Sequence, residues 1–260
     1  MLLTTDSDRV RVLTMNRPEA LNAFNSALYD AVTDGLHAAA DDPGVAVVVL
    51  TGAGRAYSAG ADLVDMARGT EGAVRETPRH GFNGFLDALM DFPKPLFMAV
   101  NGLAVGIGAT MLGYADLVFM STAARIRCPF TSLGLAPEAS SSLTFPRLMG
   151  RQNAAWVLLS SEWFSAAECR EMGLAWRVCE PDELMPVTLE YARKLAALPI
   201  SSLKETKKLI SDALREHIVE VREKENAALA RGLGGPANRE ALLAFKEKRA
   251  PDFTRLPPGW

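Results

Sequence analysis

Two hydrophobic periods organise the first half of the chain. Val10 to Met15 alternates between apolar and polar residues and predicts an edge strand, whereas Leu28, Val32, Leu36 and Ala39 recur at helical spacing after Asn25-Ser26. Val45 to Leu50 is unbroken, apolar and largely β-branched, the pattern of a strand buried on both faces and so of a parallel sheet. Gly52, Gly54 and Gly60 interrupt it. A second helix is expected around His80 to Phe92, closed by Pro93 and Pro95, and a second buried strand over Leu96 to Val100, stopping at Asn101-Gly102. A glycine-spaced turn and a short helix follow, then two more strands at Leu117 to Met120 and Arg125 to Cys128. Strand and helix alternate throughout, which predicts an α/β core with right-handed crossovers.

Past Gly150 the period becomes almost wholly helical, with a capping box at Ser165-Ala166-Ala167-Glu168 and an amphipathic stretch over Ser202 to Leu214. Gly232 to Pro236 sets off a last helix, Asn238 to Lys248. Trp156, Leu158 and Leu159 are apolar positions that one α/β core does not fully cover, as in helical tails that pack on other subunits. The expected organisation is a core over residues 1–200 and a helical region over 201–260.

Composition narrows the function more than the fold. The chain has 260 residues, 48% hydrophobic and 23% charged, enough for one substantial core. A formal charge of −3 gives no support to nucleic acid or an anionic membrane surface as partner. Cys128, Cys169 and Cys179 form no CxxC pair, and His37, His80 and His217 lack metal-ligand spacing, so neither a disulfide framework nor a metal site is expected. Residues Met1 to Arg11 do not resemble a targeting peptide, no apolar run reaches spanning length, and the final Pro257 to Trp260 is no peroxisomal address, so a cytoplasmic location is expected.

Three segments could carry chemistry. Arg55 to Leu63 is a small-residue turn between the buried strand and a short helix containing Leu63, Val64 and Met66, whose first amides lack intrahelical partners. The Ala61 N–H could there hold an oxygen that becomes negative; a tight strand–helix joint is the alternative. Asn101 to Ala109 repeats the device, with Gly106 and Gly108 flanking Ile107; the dinucleotide fingerprint needs a third glycine that is missing, and close helix–strand packing also explains it. Glu138 follows an apolar run and precedes Ala139 and three serines, so burial would raise its pKa and suit it to act as a base, although most glutamates are solvated. No GxSxG elbow is present.

Taken together, Asn16 to Phe24, the Ser58 to Leu63 turn, the Asn101 to Gly108 loop and Leu133 to Pro146 resemble the crotonase (enoyl-CoA hydratase/isomerase) superfamily along nearly the whole chain. The resemblance implies a ββα-spiral core, a helical C-terminal trimerisation region giving trimers or hexamers, an acyl-coenzyme A thioester as substrate and no further cofactor. It assigns the two oxyanion-hole N–H donors to Ala61 and Ile107, and the coenzyme A groove to Ala23, Ser58, Ala59, Gly60, Asp62, Leu63 and Gly106, with Phe245 and Lys248 meeting the coenzyme end. The two glutamates of the hydratase branch fall here at Thr110 and Phe130, while Glu138 matches the single base of the peroxisomal-type Δ3,Δ2-enoyl-CoA isomerases. The expected activity is therefore double-bond isomerisation. Its rivals are hydration or another crotonase-type lyase or hydrolase reaction through Glu138 alone, and a non-catalytic thioester-binding subunit.

Overall fold

In a computed structural model, which describes residues 1–62 and 78–257, the chain folds into two sheets and a set of helices. Strands β1 (Leu2–Ser7), β2 (Val10–Met15), β3 (Val47–Gly52), β5 (Leu96–Val100), β7 (Leu117–Ser121) and β10 (Arg177–Cys179) form the larger sheet in the order β1-β2-β3-β5-β7-β10. Only the β1–β2 pair is antiparallel; every other neighbour is parallel. Strands β4 (Ala56–Ser58), β6 (Leu103–Val105), β8 (Arg125–Arg127) and β9 (Trp163–Ser165) form the smaller one, in that order. β3 with β4, β5 with β6 and β7 with β8 are successive turns of a spiral, each turn giving one strand to each sheet.

The sequence pattern explains why the large sheet is covered on both sides. In β3, Val48 and Leu50 point into the main core with Phe24, Leu28, Leu36 and Phe85, while Val47 and Val49 join Phe97, Phe119, Leu184, Ala192 and Ala196 on the opposite face. Helix α1 (Ser26–Asp41) starts where the Asn25 side chain accepts from the Leu28 N–H at 2.9 Å. Helix α2 (Gly81–Met90) packs on it through the Phe24–Tyr29–Phe85 aromatic group.

Several expectations need correction. β2 is an interior strand, because β1 pairs along its outer side and is itself the edge. The segments read as turns before Gly60 and Gly106 contain β4 and β6, and β9 and β10 interrupt the stretch read as almost wholly helical. Each of these strands has three residues, too few for a period of two to show. Helix α3 (Ile107–Thr110) follows β6, and α4 (Ser141–Ser160) begins nine residues before the predicted change at Gly150, where a φ of 75° kinks it. Leu158 is buried, whereas Trp156 and Leu159 on the same helix stay 61% and 66% exposed.

Helix α5 (Ala166–Met172) opens on the predicted capping box, with the Ser165 and Glu168 side chains each bonding the other's backbone. Helix α6 (Leu184–Ala196) covers the outer face of the large sheet. Helix α7 (Ile200–Gly232) runs 33 residues and carries few buried side chains, among them Lys207, Ile218 and Glu225. Helix α8 (Pro236–Glu247) packs back on the 131–134 turn, where the Asn238 side chain donates to the Leu133 carbonyl at 2.8 Å. Among the described residues no helix is long and apolar enough to cross a membrane, and no group of three or more His, Cys, Asp or Glu could hold a metal ion.

Candidate active site

Two strand-to-helix turns meet at one point of the spiral. After β4, Gly60 adopts a φ of 93°, and a Cβ there would sit 2.7 Å from the Val105 carbonyl, so only glycine lets the turn lie against the end of β6. The Gly60 carbonyl accepts from the Phe24 N–H at 2.7 Å and the Phe24 carbonyl from the Asp62 N–H at 2.9 Å, the parallel bridge that pairs Phe24 with Ala61. In such a bridge the N–H of the central residue points away from the partner strand. The Ala61 N–H therefore faces away from Phe24, and it meets no acceptor among the described residues.

The second turn is built alike. Gly106, at a φ of 53°, precedes α3, its carbonyl accepts the Ala109 and Thr110 N–H groups, and the Ile107 N–H at the helix start has no acceptor among the described residues. A Cβ at Gly108 would lie 2.6 Å from the Ser58 carbonyl, so the two turns are in backbone contact.

Residues 17–24 lace this point together. Asn22, fully buried and left-handed at a φ of 55°, donates to the Ala53 and Ala56 carbonyls at 2.9 and 2.8 Å and accepts from the Arg17 N–H at 2.8 Å. Ser58 donates to the Asn22 carbonyl at 2.8 Å, and the Arg17 guanidinium reaches both the Ala23 carbonyl at 2.5 Å and the Asp62 carboxylate at 3.1 Å. Asn22 and Arg17 are not among the site residues read from the sequence; an asparagine between Leu21 and Ala23 carries no sign of its three partners.

Glu138 lies in the connection between β8 and α4 and is buried. Burial pushes its carboxyl up to about 8, partly opposed by the Thr110 hydrogen bond and reinforced by the nearby Glu225 carboxylate. The Thr110 hydroxyl lies 2.5 Å from Glu138 Oε1 and 3.2 Å from the Gly106 carbonyl. That arrangement suits both protonation states: Thr110 donates to the carboxylate, or accepts from the carboxylic acid while donating to Gly106. Glu138 Oε2 is buried without a hydrogen-bond partner among the described residues, and in the ionised carboxyl such an orphan oxygen is open to accept a proton. Phe130 is buried and apolar and offers no proton.

The structure thus brings together Ala23, Ser58, Ala59, Gly60, Ala61, Asp62, Gly106 and Ile107, and joins Glu138 to them through Thr110 and the start of α3. Leu63, with Val64 and Met66, lies outside the described residues. Phe245 and Lys248 sit exposed at the C-terminal end of α8, and among the described residues no hydrogen bond or ring contact ties them to this cluster.

Residues 5–256 match the family model described as enoyl-CoA hydratase/isomerase. Enoyl-CoA delta isomerase 2 of Rattus norvegicus is 36% identical over 231 residues, covering 88% of this chain and 59% of that protein, so the chain spans less than two thirds of this relative. The crystal structure of an enoyl-CoA hydratase from Mycobacterium marinum is 58% identical with a TM-score of 0.79, covering 81% of this chain and 99% of that one. An enoyl-CoA hydratase/isomerase from Pseudoalteromonas atlantica T6c superposes with a TM-score of 0.90 at 37% identity over 97% of this chain and 99% of that one.

Proposed function

The chain belongs to the enoyl-CoA hydratase/isomerase, or crotonase, family, and within it we propose a Δ3,Δ2-enoyl-CoA isomerase, which moves a double bond from C3 to C2 of an acyl-coenzyme A thioester. The observation that carries this reading is the Glu138 carboxyl, buried, raised to about 8, bonded to Thr110 and left with one oxygen free, while Thr110 and Phe130 stand at the two positions where the hydratase branch carries glutamates.

The chemistry follows from the parts. The thioester carbonyl sits between the Ala61 and Ile107 N–H groups, and the coenzyme lies along Ala23, Ser58, Ala59, Gly60, Asp62, Leu63 and Gly106, with Phe245 and Lys248 at its far end. Glu138 Oε2 takes a proton from C2, and the electron pair of that C–H bond moves onto the carbonyl oxygen as a dienolate. The same carboxyl returns the proton to C4, the C3–C4 double bond becomes single and the C2–C3 bond becomes double. No water or redox partner enters. Donors that fit the oxyanion better than the neutral carbonyl lower the barrier, typically by about 3 to 4 kcal/mol each.

A second reading has its own support in the 58% identical hydratase: Glu138 would then take a proton from a water whose oxygen adds to C3 of a 2-enoyl thioester and return that proton to C2 of the resulting enolate. Supplying 3-hexenoyl-CoA and following the conjugated 2-enoyl product, with crotonyl-CoA hydration measured alongside, separates the two. Hydration of crotonyl-CoA with no conversion of 3-hexenoyl-CoA would overturn the isomerase reading, and thioester binding without turnover of either would support a non-catalytic subunit.

A further inference from the structure

The connection that carries Glu138 is held in an unfavourable shape. Ala139 and Ser140 are successive left-handed residues, with φ of 58° and 54°, and neither is glycine. For residues with a Cβ this conformation is costly and normally confined to single positions, so two in a row persist only where surrounding groups impose them. The Ser140 N–H donates to Glu225 Oε2 at 2.6 Å, the Ser142 N–H to Glu225 Oε1 at 2.9 Å, and the Ser142 hydroxyl to the same oxygen at 2.5 Å. Two turns earlier on α7, the Ile218 carbonyl accepts from the Ser140 hydroxyl at 3.1 Å.

Glu225 is itself buried, and it reaches the start of α4, where Ser140 stands at the cap position without a side-chain cap of its own. A carboxylate on the free N–H groups of a helix start is well placed electrostatically. Surface ion pairing does not account for it, since every partner is an N–H or hydroxyl of the segment next to Glu138.

We infer that Glu225 is a positioning residue for the proton transfer: from α7 it caps α4, holds Ala139 and Ser140 left-handed, and so fixes the Glu138 carboxyl against the Ala61 and Ile107 N–H donors. The inference rests on Glu138 being the base, as proposed above. The groups around Glu138 are the Thr110 hydroxyl, the Glu225 carboxylate, the neutral Tyr29, Tyr114 and Cys128 side chains, and, near Tyr114, Arg222, which pairs with Asp87 at 2.6 Å. Among them Glu225 is the like charge, and it reinforces the upward displacement of Glu138 that burial begins.

The test compares wild type, Glu138→Gln, Glu225→Gln and Glu225→Gln with Ala139→Gly, reading 3-hexenoyl-CoA isomerisation, deuterium exchange at C2 of a saturated acyl-CoA, thioester affinity and the pH profile. A glutamine presents one acceptor oxygen where the carboxylate uses two, so Glu225→Gln is expected to lower kcat by about 10- to 100-fold with affinity kept. The pH at which activity is half-developed should move down, and Ala139→Gly, which accepts a positive φ freely, should restore part of kcat. Turnover within about twofold of wild type in Glu225→Gln, or parallel loss of kcat, affinity and melting temperature with no rescue, would overturn the inference. Should Glu225→Gln fail to fold, Ser142→Ala removes one of the three bonds, and an unchanged kcat and pH profile there would overturn it equally. Full activity in Glu138→Gln would instead sink the assignment of the base, a result distinct from any of these.

Discussion

Glu138 is a carboxyl made basic by its surroundings. Glu138→Gln keeps the size of the side chain and removes the proton acceptor, so isomerase turnover is expected to fall about 10²- to 10⁴-fold with thioester affinity retained, as measured by steady-state kinetics and ligand titration. In the proposed mechanism Glu138 must be ionised to act, so kcat/KM of the wild type should rise with pH and level off above about 8. Stability should run the other way. Its folded-state pKa lies above the ordinary value of 4.5, so the native state holds this proton more tightly than the unfolded chain. The stabilising contribution is complete below that ordinary value and is lost as pH climbs through about 8; urea unfolding of Glu138→Gln should lose less stability over that window than wild type does. Thr110→Val deletes the one hydroxyl that favours the ionised form, so the rise in kcat/KM should move to higher pH, with about a tenfold loss at neutral pH. The sequence placed Glu138 as a candidate because an apolar run precedes it. It could not show Thr110 or Glu225 as its neighbours, since those lie 28 and 87 residues away along the chain and meet it only through tertiary packing.

Among elements, the long parallel strands were legible, and of the three-residue ones β8 was, at Arg125 to Cys128, while four others were not. β3 and β5 read correctly because both faces are covered, which leaves no polar alternation, whereas β4, β6, β9 and β10 owe their existence to neighbours in the sheets rather than to their own residues. The two glycine turns were visible as spacing, but their contact was not. Gly108→Val tests that contact: its Cβ meets the Ser58 carbonyl, so the two N–H donors must separate, and turnover should drop by more than about 100-fold. If the turns are only packing joints, circular dichroism melts and kinetics should decline in parallel. Helix α7 is fastened at another point by Lys207, which donates to the Lys94 carbonyl at 2.9 Å and to Asp116 at 2.7 Å. Burial lowers the Lys207 pKa, with Asp116 opposing that change. Lys207→Ala leaves Asp116, part-exposed and still accepting from the Leu96 N–H, without its cation, and is expected to cost about 1.5 to 3 kcal/mol in denaturant unfolding.

For the whole molecule, assembly turns on apolar side chains that the single chain does not cover. Trp156 and Leu159 on α4, Leu209 and Ile210 on α7 and Phe245 on α8 are all more than half exposed. Faces of this kind are usually closed by symmetric association, and a trimer or hexamer is the expected state by light scattering at micromolar concentration. A Trp156→Glu, Leu159→Glu double variant should lower the measured mass while leaving circular dichroism unchanged; a monomeric wild type would remove the expectation.

The bond between Ser140 and Glu225 spans 85 residues of chain, and that span is also an interval of time. At about 5 to 20 residues per second, the ribosome completes the connection bearing Glu138 roughly 4 to 17 seconds before it adds the residue that holds that connection in shape. A nascent chain can therefore close its sheets while the connection bearing Glu138 is still unset, and on the mechanism proposed above its competence for proton transfer waits for the late synthesis of α7.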